Sequence, residues 1–220
     1  MKDINKLLEN AYVRKDKKEI ISMLTELIKR LSEDTMSFSQ TLAISSDVLY
    51  HTMFYLADGK KILAESFRTY DNGYNCLYDR DSKTEVREWL VTLRDGLEQY
   101  RERTEQSKKQ EFVNTVKTYV LMHLTERISL SETAEVFHVS PSYLSALFSQ
   151  YNDQGFNDYV NGVKIAEAKH MLEEGSYKIY EIADRLGYKN AFYFNRVFKK
   201  FEGMPPTEYA CKCIRERISA

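Results

Sequence analysis

Residues 177–201 read YKIYEIADRLGYKNAFYFNRVFKKF. Ile179, Ile182 and Ala183 share one helical face, Gly187 breaks the pattern, and Phe194, Val197, Phe198 and Phe201 then recur at three- and four-residue spacing. Apolar positions at that spacing form one face of an α-helix. The stretch therefore predicts two short helices joined by a turn at Gly187, with the second helix running from Asn190 to Phe201. Its aromatic rings belong mostly to the core. Asn190, Ala191, Asn195, Arg196 and Lys199 fall on other faces, where a helix N-terminus and its flanking cations are free to meet a negatively charged partner.

The same arrangement occurs upstream. Residues 128–151, ISLSETAEVFHVSPSYLSALFSQY, offer Ser129 or Ser131 as the cap of a short helix carrying Ala134 and Val136. FHVS supplies a turn, and Pro141 stands at a helix start, where its missing N–H costs nothing. Between the two units, FNDYVNGVKIAEAKHMLEEG (156–175) reads as a rigid spacer helix, with Tyr159, Val163, Ala166, Ala168 and Leu172 facing both ways.

The N-terminal half is also helical in pattern. Ile4, Leu7, Leu8 and Ala11, then Ile20, Met23, Leu24, Leu27, Ile28 and Leu31, predict two amphipathic helices meeting near RKDKK (14–18). Residues 37–56 are apolar on more than one face and read as a central bundle helix, while YDNGYNCLYDRD (70–81) is the clearest loop. Ser82 with Glu85 has capping-box spacing and opens a long helix striped by Val86, Trp89, Leu90, Leu93, Leu97 and Tyr100. The stripe ends at RERTEQSKKQ (101–110), which is either a solvated continuation of that helix or a linker. A new stripe begins at Phe112. The expected fold class is all-α: a helical regulatory or dimerisation domain at 1–105, followed by a two-unit helix-turn-helix domain at 106–220.

Composition bounds the alternatives. The chain of 220 residues is 43% hydrophobic and 30% charged, with a formal net charge of −1. No apolar run approaches the roughly 20 residues that span a bilayer, and the N-terminus lacks a signal peptide's apolar stretch, so a cytoplasmic protein with no membrane partner is expected. Cys76, Cys211 and Cys213 have no companion ligand pair, with His51, His123, His138 and His170 scattered, and are read as free thiols rather than a metal site. No phosphate-cradling glycine loop and no Cys/His pair at useful spacing supports an enzyme, and no cofactor is expected. From Glu111 onward there are 13 Lys and Arg against 14 Asp and Glu. A nucleic-acid surface in that half therefore requires its charges to be segregated by face.

The segments LSETAEVFHVSPSYLSALF, KIAEAKHML and EIADRLGYKNAFYFNRVFKKFEGMPPTEY together resemble the DNA-binding domain of the AraC/XylS family of bacterial transcription regulators, over 112–210. Two departures stand out: Lys164 where that family usually places arginine, and Asp153 where it commonly has glycine. The N-terminal half resembles, more weakly and by helical pattern alone, the region between receiver and DNA-binding domain in AraC-type response regulators; no receiver pattern is read in this sequence. The resemblance implies a sequence-specific regulator of transcription that reads two successive major grooves of double-stranded DNA. On this reading the N-terminal helices either form a homodimer or relay a signal, and RNA polymerase is a further candidate partner. A different class is permitted by the near-neutral charge: an adaptor module that keeps the fold with weak or no DNA binding.

On this reading the DNA-binding candidates are Ser140, Ser142, Tyr143, Ser145, Ala146 and Ser149 on the first recognition helix, and Lys189, Asn190, Ala191, Asn195, Arg196, Lys199 and Lys200 at the second. Asparagine suits adenine because one planar group carries a donor and an acceptor. Either Asn190 or Asn195 fits that role. Arg196 and Lys200 suit phosphates. The first helix carries no cation, so its serines offer hydrogen bonds and Ala146 a surface for a thymine methyl. In the N-terminal half, Tyr50, Phe54, Tyr55, Phe67, Tyr74, Tyr78 and Trp89 fill a core or dimer face more readily than a ligand pocket, and the Trp89 to Tyr100 stripe favours a homodimer.

Overall fold

The computed structural model describes residues 2–33 and 36–219, with side chains at 6, 8–33 and 36–215. Among these residues all regular structure is helical and there is no strand. Two compact units divide between Gln106 and Ser107.

In the first unit, α1 (Lys2–Val13) and α2 (Lys17–Leu31) are separated by a turn in which Lys15 takes a left-handed φ of 57° and Asp16 caps α2 by accepting from the Lys18 amide at 2.9 Å. Leu8, Ala11, Tyr12, Ile20, Leu24, Leu27 and Ile28 are buried as the spacing requires; the side chains of Ile4 and Leu7 lie outside those described. Ser37 and Gln40 close a capping box at the start of α3 (Phe38–Tyr55). Thr41, Ser45 and Thr52 are buried on α3, and each hydroxyl donates to the carbonyl four residues back, so no polar group is stranded. The Tyr12 hydroxyl meets Thr52 Oγ1 at 2.7 Å.

A short helix, α4 (Gly59–Ser66), packs close enough that a Cβ at Gly59 would lie 1.7 Å from the Thr52 carbonyl oxygen. The expected loop at 70–81 contains a 3₁₀ segment, Gly73–Asp79, that buries Cys76 and Leu77. Trp89 is fully buried, stacks on Phe67 at 5.0 Å between ring centroids, and donates its indole N–H to the Tyr74 carbonyl at 3.1 Å.

Trp89 belongs to α5 (Lys83–Met122), one helix of 40 residues that continues through 101–110 rather than giving way to a linker. That polar stretch is rich in good helix formers, and Arg101 pairs with Glu98 and Glu105 one turn away on either side. Leu90, Leu93 and Leu97 are fully buried with Trp89 in the first unit's own core. Tyr100, which ends the stripe, is partly buried against the same core, so the stripe serves chiefly to pack this unit.

The second unit contains α6 (Leu130–Val136), α7 (Pro141–Tyr151), α8 (Phe156–Glu174), α9 (Ile179–Arg185), α10 (Ala191–Glu202) and α11 (Pro206–Ser219). It holds two separate cores. Val113, Val116 and Val120 of α5 pack with Ala134, Leu144, Leu147 and Phe148. Ile182, Ala183, Phe194, Val197 and Phe198 form the other. The spacer α8 serves both, giving Phe156 and Val160 to the first and Ile165, Ala168 and Leu172 to the second. Ala166, expected on its packed faces, is exposed.

Candidate nucleic-acid interface

Each of two helix pairs is built from caps and a turn that the sequence specifies locally. Ser129 caps α6 by accepting from the Glu132 amide at 3.2 Å, which decides between Ser129 and Ser131. Ser140 caps α7 by accepting from the Tyr143 amide at 3.2 Å, with Pro141 in its first turn. Asn190 caps α10 in the same way, Oδ1 accepting from the Tyr193 amide at 2.8 Å.

The two turns also match. Val139 N–H donates to the Ala134 carbonyl and Tyr188 N–H to the Ala183 carbonyl, both at 2.9 Å. Ahead of each donor sits a left-handed residue, His138 (φ 54°) in the first turn and Gly187 (φ 65°) in the second. Glycine is required at 187 for a further reason: a Cβ there would lie 2.5 Å from the Glu126 carbonyl oxygen.

The recognition helices correspond position by position. Leu144, Leu147 and Phe148 are buried on α7 as Phe194, Val197 and Phe198 are on α10. Opposite that face, Ser142, Ala146 and Ser149 are exposed on α7, with Phe192, Arg196 and Lys199 in the same places on α10. Ser145 and Ala191 are half-buried, and Tyr143, Lys189, Asn190, Asn195 and Lys200 are exposed. No carboxylate occurs on α7, and the single one on α10, Glu202 in its last turn, is held by Lys169 at 2.9 Å. Charge is thus segregated on α10, whose outward face carries Arg196 and Lys199, while α7 is uncharged.

Three details refine the sequence reading. Asn190 has its carbonyl oxygen held in the cap, which fixes its orientation and leaves its amide protons as the freer function, whereas no such cap engages Asn195. Lys200 pairs with Asp158 on α8 at 2.7 Å, an exposed contact that water weakens but that still draws this cation to the side of the helix. Phe192, 75% exposed, and Tyr193, 46% exposed, sit at the N-terminus of α10, although aromatic residues there were expected to be mostly core. Their positions two and one before Phe194 put them off the apolar stripe, a signal present in the sequence.

Lys164 does not face outward. It is 4% exposed on α8, and its ammonium donates to the carbonyls of Glu126, just before α6, and Leu186, at the end of α9, each at 2.6 Å. Burial pushes its pKa down to about 8, and the two carbonyl acceptors hold the proton on below that.

Residues 133–211 match the family model described as "Helix-turn-helix domain". The second unit thus contains, over residues 133–211, a helix-turn-helix domain of AraC type. Relatives of this AraC-type domain include the uncharacterized HTH-type transcriptional regulator YijO of Escherichia coli, 31% identical over 103 residues that make up 47% of this chain and 36% of the relative. Another is the regulatory protein PocR of Salmonella typhimurium, 33% identical over 91 residues, 41% of this chain and 30% of the relative. The chain thus spans about a third of the length of these curated relatives. Among solved structures, the C-terminal domain of AraT, a response regulator from Geobacillus stearothermophilus, is similar at a TM-score of 0.44 and 31% identity, covering 46% of this chain and 84% of that one.

Proposed function

We propose that the protein is a sequence-specific DNA-binding regulator of transcription whose α7 and α10 enter successive major grooves about one helical turn apart. The observation that carries this is the position-by-position match of the two recognition helices, each with an acid-free outward face. Asn195 is assigned to a base edge, Arg196 and Lys199 to phosphates, and Phe192 to an apolar contact such as a thymine methyl. Ser142, Ser145, Ala146 and Ser149 make the uncharged readout of the first unit, with Ser140, Tyr143, Lys189 and Asn190 at the helix starts. The first compact unit takes the regulatory or dimerisation role. Its support is the exposed pair Tyr50 and Phe54 on α3, 55% and 62% exposed with ring centroids 4.8 Å apart. Phe67 and Trp89 are core there, so the aromatic residues do not converge on one ligand pocket. Contact with RNA polymerase belongs to the same reading. Among the described residues no helix is long and apolar enough to cross a membrane.

Selection from a pool of random duplex DNA at two salt concentrations tests it. Enrichment of a motif with two short half-sites supports the reading, and log affinity should fall with log salt at about 0.9 per phosphate contacted. Absence of binding at low salt would instead favour an adaptor module.

A further inference from the structure

Between the two helix-turn-helix pairs runs a groove walled on one side by Arg127 and Ser129 at the entry to α6, and on the other by Lys189, Asn190 and Tyr193 at the start of α10. Its floor is α8, where Asn157, Asn161 and Lys164 line it. Arg127, Lys189 and Lys164 give the lining three cations, and no carboxylate lines it, although this half of the chain has more acids than bases. The groove on the other flank of the α10 start is different: there Glu181 and Asp184 accompany Arg185 and Lys189. A polyanion laid beside α10 is therefore favoured on the side that faces the first pair and not on the other.

The Ser129 hydroxyl is already given to the Glu132 carboxylate at 2.6 Å, so the donors left in the groove include the Arg, Lys189 and Asn side chains. Asn161 accepts from the Tyr188 hydroxyl through Oδ1 at 3.3 Å, which leaves its amide protons as the free function, and Asn157 and Arg127 are exposed. Lys164 is committed to two carbonyls and contributes a fixed positive charge beneath the floor rather than a contact. If α7 and α10 occupy successive major grooves on one face of a duplex, the minor groove and the two sugar-phosphate strands that border it cross the interval between them, where this groove lies.

We propose that the groove seats one of these two strands, with Arg127 and Lys189 contacting phosphates and Asn157 and Asn161 donating to phosphate or sugar oxygens. The proposal rests on the functional reading above and adds to it a third point of attachment, from residues outside both recognition helices. It makes the separation of the two half-sites a property the protein enforces through the backbone between them, without reading the bases there.

The test compares the wild-type chain with Arg127→Gln and with Asn157→Ala, both exposed positions, so equal melting temperatures are expected and are to be verified first. On a selected duplex and on unrelated duplex DNA alike, Arg127→Gln should reduce the slope of log affinity against log salt by about one. Single methylphosphonate linkages, which are uncharged, placed between the half-sites should weaken wild-type binding and have little further effect on Arg127→Gln. Asn157→Ala should lose affinity severalfold with no change of slope. A wild-type chain that binds with a steep salt dependence while Arg127→Gln keeps the same slope, or suffers the full methylphosphonate penalty, would overturn the groove and leave the two-helix reading intact. Failure of the wild-type chain to bind any duplex at low salt would remove both.

Discussion

At Lys164 one ammonium group satisfies two backbone carbonyls, one in the segment leading into the first helix-turn-helix pair and one in the second pair. Truncating it to alanine strands both acceptors in a buried site, and a loss of about 2–4 kcal/mol in denaturant unfolding is expected. Its lowered pKa has a defined sign. The unfolded lysine stays protonated to about 10.4, while the folded one releases its proton near 8. Between those values the unfolded state binds more protons, so this group raises stability as pH increases. Lys164→Arg keeps two donors but cannot deprotonate. Measured from pH 8 to 10, the wild type should therefore gain on that variant by up to about 1.4 kcal/mol per pH unit; a constant difference would show that the buried ammonium does not titrate there. Gly187 is the second such residue. Gly187→Ala meets both a left-handed φ and a carbonyl 2.5 Å from the new methyl, and a destabilisation of about 2 kcal/mol or more should appear in thermal melts. The glycine was legible in sequence as a turn. The lysine was not, because a charged residue between helical apolar positions normally points to solvent.

Helices α7 and α10 have the same architecture and opposite chemistry, since α7 has no cation and α10 presents Arg196 and Lys199. Arg196→Ala should lower affinity for all sequences and reduce the salt slope by about one, whereas Ser142→Ala with Ser145→Ala should weaken specific binding severalfold and leave the slope unchanged. Equal losses by the serine variant on specific and unrelated DNA would contradict a readout role for α7. Phe192→Ala should leave the melting temperature unchanged, its ring being 75% exposed, and relax base preference at one position of the selected motif. These helices were readable from their caps, Ser140 with Pro141 and Asn190, and from their apolar spacing. Other elements were not. Helix α4 has eight residues and no side-chain cap, too little for its period to emerge, and the 3₁₀ segment at 73–79 looks like a loop because Asn72 and Gly73 dominate it. Helix α11 begins at Pro206, within the proline pair that reads as a stop: proline ends a helix it follows but also suits the first turn of the next.

On the scale of the whole molecule, a net charge of −1 is compatible with a DNA-binding protein only because its charges are sorted by surface. The recognition helices present no outward acid, and the groove between the pairs has none in its lining. Composition conceals this sorting, and so does local pattern, since Arg127, Asn157, Asn161 and Lys189 come from separate segments that only the tertiary fold brings together. The spacer α8, shared by two cores and tied through Lys164 to the segment before α6 and to the end of α9, holds the two helix pairs at a fixed separation. The most direct test is the affinity of the chain for its selected duplex as base pairs are inserted between the half-sites. Affinity should fall to the non-specific level with an insertion of about half a helical turn, which turns the second half-site to the far side of the duplex. Undiminished affinity across the insertion series would mean that only one recognition helix reads DNA and that the two-groove reading is wrong.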